Sequence, residues 1–120
     1  SDTADQVQFK SFHSNASVAL VENESCLAKF KEVIEDLPYM KAIVCWSCDA
    51  GADIVRSDGS QVRTLSFQEF LRIGSEVPET ELDERIAKVK PTHCCALIYT
   101  SGTTGKPKAV MISHDNLAFE

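Results

Sequence analysis

The sequence predicts an α/β fold in which a βαβ unit is followed by a β-hairpin that carries a polar loop. Three observations indicate this class: an apolar run at residues 18–21, a helical pattern that ends before Pro38, and a β-prone run at residues 42–46. A strand, helix and strand of this length favour a parallel pair of strands joined by a right-handed crossover.

The helix is expected to begin near Asn23, because acidic residues follow where a helix N-terminus favours negative charge. Apolar residues then recur at steps of three and four, which places one set on a single face: Cys26, Phe30, Val33, Ile34 and Leu37. This face is expected to cover the sheet, and Pro38 is expected to end the helix.

The segment of residues 47–64 is rich in Asp, Gly and Ser and is interpreted as an irregular loop. Ser66 and Glu69 are spaced as a capping box, so a short helix is predicted from there to Gly74. A second helix is predicted after Pro78, with acidic residues early, lysines late, and one apolar face: Leu82, Ile86 and Val89.

The composition excludes several classes of partner. The chain has 120 residues with 12 basic and 18 acidic side chains, which gives a net charge of −6. Binding to nucleic acid or to an anionic membrane surface requires clustered Lys and Arg, which this sequence lacks. No apolar run approaches the roughly 20 residues that cross a membrane, and residues 1–5 do not resemble a secretory signal. We expect an intracellular chain.

The odd number of cysteines favours free thiols in a reducing compartment; they are Cys26, Cys45, Cys48, Cys94 and Cys95. Cys45 and Cys48 are spaced as a C-x-x-C pair, and the run from His93 to Cys95 could supply further ligands, so zinc is an alternative. Zinc is disfavoured because Cys45 lies in an apolar run, and because Cys94 and Cys95 are adjacent and would point to opposite faces of a strand. Buried small apolar residues are the preferred interpretation, and no metal ligands are predicted.

A polar loop between two predicted strands, residues 94–99 and 109–112, is the candidate functional site. Apart from one proline, its residues are glycines, lysines or residues with a hydroxyl group: Thr100, Ser101, Gly102, Thr103, Thr104, Gly105, Lys106, Pro107 and Lys108. The glycines allow backbone angles that let N–H groups converge on one anion, and the lysines add positive charge. The pattern predicts a phosphate-binding loop, with a hairpin turn that binds nothing as the alternative.

The loop is not a Walker A motif. Thr100 occupies a position where that motif requires glycine, and Pro107 follows Lys106 where the motif requires Ser or Thr. The run after Lys108 is β-prone, so no helix N-terminus would assist binding. Binding would depend on loop amides, hydroxyls and lysine.

The string YTSGTTGKPK at residues 99–108 resembles the AMP-binding signature of the adenylate-forming superfamily. Residues 36–44, 70–78 and 111–117 are similar to segments of bubblegum-type long-chain fatty-acid–CoA ligases. The resemblance covers most of residues 13–120, which are identified as part of an AMP-binding N-terminal domain. Residues 1–12 are then an N-terminal flank.

The resemblance implies an enzymatic reaction in two steps. A fatty acid carboxylate attacks the α-phosphate of Mg-ATP to give acyl-AMP and pyrophosphate, and the coenzyme A thiol then displaces AMP. By position, residues 100–108 would surround the β- and γ-phosphates, with Thr103, Thr104 and Lys108 as the strongest candidates. Lys108 and Thr104 would stabilise charge in the transition state, and Mg²⁺ would enter with ATP near Thr104.

Three neighbouring positions carry lower weight. Lys106 occupies a position that varies in the family, so its charge would help without being required. His114 matches a histidine of related enzymes, but a helix-capping or surface role is equally open. Ala109 replaces the usual glycine, which would strain the loop exit if its φ were positive and would change little otherwise.

The family's later motifs, for adenine, ribose and the mobile catalytic lysine, do not occur in these 120 residues. We therefore expect an excised segment that is inactive alone and leaves apolar surface uncovered around Trp46 and Phe119. The alternative is a non-catalytic α/β module that uses the loop as a turn or binds a nucleotide or protein. The parent is expected in the cytoplasm, with peripheral association at the endoplasmic reticulum left open.

Overall fold

The computed structural model describes residues 2–101 and 107–119, and the chain divides into two compact units, Ser1–Ser75 and Glu76–Glu120. Their elements are mixed α/β, which confirms the predicted class. None of the helices in the described residues is long and apolar enough to cross a membrane.

The first unit contains four strands and three helices within its described residues. In chain order they are α1 (Ala4–His13), β1 (Val18–Val21), α2 (Glu24–Val33), a 3-10 turn (Ile34–Asp36), β2 (Ala42–Cys45), β3 (Ile54–Val55), β4 (Gln61–Ser66) and α3 (Phe67–Ser75). The sheet has the order β1-β2-β4-β3, in which β1, β2 and β4 are parallel and β3 is antiparallel to β4. The predicted β1–α2–β2 unit is confirmed.

Helix α2 begins where the sequence predicts, because the Asn23 side chain accepts a hydrogen bond from the Cys26 N–H at 3.0 Å. Its end differs from the prediction, since the α-helix stops at Val33 and only the 3-10 turn continues to Asp36. Leu37 has φ −116° and ψ 68°, outside the helical region, as the proline that follows it requires.

The sequence interpretation assigned residues 1–12 to an N-terminal flank, and helix α1 occupies most of this segment. Thr3 and Gln6 form a capping box at its N-terminus. The chain leaves the helix through Asn15, whose φ of 53° lies in the left-handed region that asparagine tolerates.

The core of the first unit lies between the sheet and helices α1 and α2. Its buried members are Ala19, Val21, Leu27, Val33, Ile34, Leu37, Met40, Ile43, Cys45, Ala50 and Val62. Val44 is also fully buried, and it alternates with Ile43 and Cys45 along β2, so it faces the other side of the sheet. Helix α3 contacts β2 and β4.

Strand β4 corrects the sequence interpretation, which treated residues 47–64 as a loop. Val62 and Thr64 are buried, whereas Gln61 and Arg63 are exposed, which is the period-two pattern of a strand with one covered face. Strand β4 pairs in parallel with β2, so it is an interior strand of the sheet.

Arg56 joins the turn between β3 and β4 to the segment that follows α2. Its side chain is buried, with Nε donating to the Ile34 carbonyl at 3.0 Å. Its Nη2 donates to the carbonyls of Leu37 at 2.6 Å and Met40 at 2.9 Å, and its Nη1 donates to Ser60 Oγ at 3.1 Å. One guanidinium therefore donates to three main-chain carbonyls at the end of the 3-10 turn, where the backbone alone leaves acceptor capacity unused.

Helix α3 begins with the predicted capping box. The Glu69 N–H donates to Ser66 Oγ at 3.2 Å, and the Ser66 N–H donates to Glu69 Oε2 at 3.0 Å. The bond from the Ser66 N–H and, secondly, the bond that the Ser66 hydroxyl donates to Glu69 Oε2 at 2.8 Å lower the pKa of the Glu69 carboxyl. The helix ends at Ser75, one residue after the predicted Gly74.

The second unit contains α4 (Glu79–Ala87), β5 (Cys94–Thr100), β6 (Lys108–Ser113) and α5 (His114–Ala118). Helix α4 follows Pro78 as predicted. The face that the periodicity predicts to be apolar is exposed at each of its positions: Leu82, Ile86 and Val89. None of the residues described in this unit is buried.

Candidate functional site

The candidate site lies at the end of the hairpin formed by β5 and β6. The antiparallel register pairs Thr100 with Lys108 and Tyr99 with Ala109. The two residues that border the predicted phosphate-binding loop are therefore opposite each other at the end of the ladder. This arrangement confirms the predicted hairpin.

Four of the nine predicted loop residues lie in the described part of the chain. Thr100, Ser101 and Lys108 are exposed, and Pro107 is half-buried. The other five lie outside the described residues: Gly102, Thr103, Thr104, Gly105 and Lys106. The structure brings the two ends of the loop together, and the roles of the central residues stay predictions.

Lys108 supplies positive charge at the end of the ladder. Within residues 2–101 and 107–119, its exposed ammonium has no carboxylate partner. Lys10 in the first unit differs, because its Nζ lies 2.7 Å from Asp2 Oδ2. An exposed cation without an ion pair can meet a phosphate without first losing a partner.

Ala109 lies inside β6. Among the described residues, a positive φ is limited to Asn15, Gly51 and Gly59, so Ala109 has a backbone that any residue adopts. The alanine therefore introduces no left-handed strain at the exit of the loop. The structure therefore supports the expectation that alanine in place of the usual glycine changes little at this position.

His114 is exposed and is the first residue of α5, which is capped by Ser113. The Asn116 N–H donates to Ser113 Oγ at 3.2 Å, so capping is not a role of His114. Sequence reasoning missed two backbone hydrogen bonds here, from His114 N to the His93 carbonyl at 3.1 Å and from Asp115 N to the Pro91 carbonyl at 2.9 Å. No side-chain pattern signals such main-chain bonds.

The described cysteines are all free thiols. Cys94 is exposed and Cys95 is half-buried, with the Cys95 Sγ donating to the Ile112 carbonyl at 3.2 Å. In the part of the chain that the structure describes, no group of three or more His, Cys, Asp or Glu side chains could hold a metal ion.

Similarity to known proteins identifies the family. A family model described as "AMP-binding enzyme" matches residues 2–120. The chain belongs to the AMP-binding enzyme family. This result confirms the resemblance carried by residues 99–108, and within the family match the hairpin holds the string that resembles the AMP-binding signature.

Curated relatives carry more specific names. The chain is 36% identical over 118 residues to long-chain-fatty-acid–CoA ligase ACSBG2 of Xenopus laevis, covering 98% of this chain and 15% of the relative. It is 42% identical over 106 residues to ACSBG2 of Gallus gallus, covering 88% and 13%. It is 35% identical over 112 residues to ACSBG1 of Homo sapiens, covering 93% and 14%.

The chain thus spans 13–15% of the length of these three relatives. No solved structure matches it.

Proposed function

We propose that the chain is a segment of a long-chain fatty-acid–CoA ligase that consumes ATP and releases AMP and pyrophosphate. The fatty acid carboxylate attacks the α-phosphate, and the coenzyme A thiol then displaces AMP from the acyl-adenylate. The observation that carries this proposal is the family match across residues 2–120, together with the names of the relatives.

Within this reaction, residues 100–108 bind the β- and γ-phosphates of ATP. The register supports this assignment, because it sets Thr100 opposite Lys108 at the end of the ladder. A loop closed in this way can direct backbone N–H groups and hydroxyls at one anion. The ammonium of Lys108 stabilises the charge that develops on the departing pyrophosphate.

The central residues complete the assignment. Thr103 and Thr104 supply hydroxyls to the phosphates, and Thr104 would be the residue to meet the Mg²⁺ that enters with ATP. A hydroxyl oxygen is a hard ligand, which suits this ion. Lys106 adds positive charge without being required.

The substrates of the parent protein are ATP, a long-chain fatty acid and coenzyme A. We place the parent in the cytoplasm on the basis of the odd cysteine count, which favours a reducing compartment, and peripheral association with the endoplasmic reticulum stays an open alternative.

The test uses the intact parent protein and measures the exchange of labelled pyrophosphate into ATP in the presence of a long-chain fatty acid. Lys108→Ala is expected to lower the exchange rate on the order of 100-fold, the range seen when one transition-state stabilising donor is removed. The matched control is Lys88→Ala, which removes an exposed lysine of the same unit and is expected to leave exchange unchanged.

Two outcomes would count against the proposal. Wild-type parent without fatty-acid-dependent exchange would contradict the ligase function and favour the non-catalytic module. Normal exchange in Lys108→Ala would retain the ligase and remove Lys108 from the phosphate site. Cell fractionation of the parent tests the location separately.

A further inference from the structure

We propose that Cys45 and Cys48 form a reversible disulfide, which makes the end of strand β2 a site of redox modification. The proposal concerns the first unit and does not depend on the phosphate-binding hairpin. Neither the family match nor the names of the relatives refers to it.

The geometry of the two thiols is the first support. Cys45 is the last residue of β2 and is only 1% exposed, and Cys48, three residues later, is half-buried and packs against the same core. Both cysteines also line one cleft at the end of β2, together with Trp46 and Phe67. The two side chains therefore face the same space from positions three residues apart, and closing a disulfide between them calls for local rotation of the side chains.

The backbone between the cysteines is held in place. The Trp46 N–H donates to the Val21 carbonyl at 2.8 Å, and the Ser47 N–H donates to the Glu22 carbonyl at 3.0 Å. These bonds tie the intervening residues to the end of β1. Since the turn is ordered in advance, closing the disulfide loses little backbone freedom.

The two thiols differ in accessibility. Burial, and secondly the neighbouring Cys48 side chain, raises the pKa of the Cys45 thiol to about 11, so Cys45 stays protonated at neutral pH. Cys48 lines an open cleft beside Asn23 and Asp49, where a small molecule can reach it. Cys48 is therefore the thiol that reacts first, and Cys45 resolves the intermediate.

The reaction is a thiol–disulfide exchange with a small-molecule disulfide as the oxidant. The Cys48 thiolate attacks one sulfur of that disulfide, which forms a mixed disulfide and releases one thiolate. Cys45 then loses its proton and attacks Cys48 Sγ, and the second thiolate leaves. The two cysteine sulfurs lose two electrons in total, and the oxidant with two protons becomes two thiols.

The adjacent pair Cys94 and Cys95 provides a matched comparison inside the chain. Cys94 Sγ donates to the Ala96 carbonyl at 3.3 Å, whereas Cys95 Sγ donates to the Ile112 carbonyl at 3.2 Å. The two thiols therefore bond to different carbonyls, one on their own strand and one on the neighbouring strand, and not to each other. The proposal therefore predicts that only one of the two pairs forms a disulfide.

The test treats the native 120-residue chain with oxidised glutathione, alkylates the remaining thiols and maps the peptides by mass spectrometry. A Cys45–Cys48 disulfide is expected as the main product, and dithiothreitol is expected to reverse it. Trp46 is the sole tryptophan and contacts Phe67 in a tilted arrangement, with ring centroids 4.3 Å apart. Because Trp46 lies between the two cysteines, its fluorescence is expected to fall on oxidation and recover on reduction.

Two variants make the test specific. Cys48→Ser, at the half-buried position where folding is least affected, is expected to abolish the disulfide and the fluorescence change. The double variant Cys94→Ser/Cys95→Ser is expected to retain both. A stable glutathione adduct on Cys48 without the internal bond would overturn the proposal. So would a Cys45–Cys48 disulfide that forms only after the chain is unfolded in urea.

Discussion

The two units of the chain differ in what covers their strands. In the first unit, Ile43 of β2 and Val62 of β4 are fully buried, with 0% exposure. In the second unit, Ile98 of β5 and Met111 of β6 are 54% and 69% exposed. The strands are similarly apolar, so composition does not explain the difference. The first unit has a four-stranded sheet with helices against it, whereas the second has a single ladder.

The two units therefore contribute differently to the stability of the chain and to its ligand binding. The first unit draws its stability from a closed core, and the second positions a polar loop through hydrogen-bond register. Substitutions in the first unit should therefore change the free energy of unfolding, while substitutions in the hairpin should change ligand contacts.

The largest expected effect is that of Ile43→Ala, which removes most of a fully buried side chain from an interior strand. The variant is expected to lose about 4 kcal/mol of unfolding free energy, because a cavity remains where the side chain packed. Urea denaturation followed by circular dichroism measures this loss. The control is Ile98→Ala in the hairpin, which is expected to change stability by less than about 1 kcal/mol. Equal losses in both variants would contradict the comparison.

A smaller effect is expected for Arg56→Leu. This variant removes the donors to the carbonyls of Ile34, Leu37 and Met40, and the expected loss is about 3 kcal/mol by the same denaturation measurement. Arg56→Lys should restore only part of it, because an ammonium lacks the planar fork. Arg63→Leu, at an exposed position of β4, is the control. Full rescue by lysine would show that charge, not geometry, matters at this position.

The smallest effect is expected for Ser66→Ala at the start of α3. Loss of the N-cap is expected to cost about 1 kcal/mol at pH 7. The capping box lowers the pKa of Glu69, so this part of the stability is present above the unfolded-state pKa and is lost as pH falls through the lower folded-state value. The difference between variant and wild type should therefore shrink in acid. Ser25→Ala, at an exposed position of α2, is the control, and a difference independent of pH would remove Glu69 from the cap.

Much of the first unit could be predicted because its signals are local. The periodicity of residues 26–37 and the β-prone run after it indicate β1–α2–β2 without any knowledge of distant contacts. Strand β4 was missed because Asp58, Gly59 and their neighbours dominate the composition of its region, although the alternation around Val62 was a usable signal. Helix α1 buries no residue, so it leaves little apolar pattern to detect.

The type of candidate site, a polar loop at the end of a hairpin, could be predicted from the sequence. The hairpin and the ends of its loop follow from turn residues between two apolar runs, and the family resemblance lies in the same short string. Periodicity also placed Leu82 and Ile86 on one face of α4, but it cannot say what covers that face, and both are exposed. The hydrogen bonds donated by the Arg56 side chain join residues about 20 positions apart, which a single sequence does not reveal.

The order of strands in the first unit has a consequence for synthesis. Strand β2 pairs with β1 on one side, but its other neighbour is β4, which ends about 20 residues later in the chain. At about 5–20 residues per second, the ribosome leaves that edge of β2 without its partner for roughly one to four seconds. An apolar strand with an open edge can pair with other chains. The nascent protein is therefore most exposed to aggregation during this interval, which ends when residues 61–66 emerge and close the sheet.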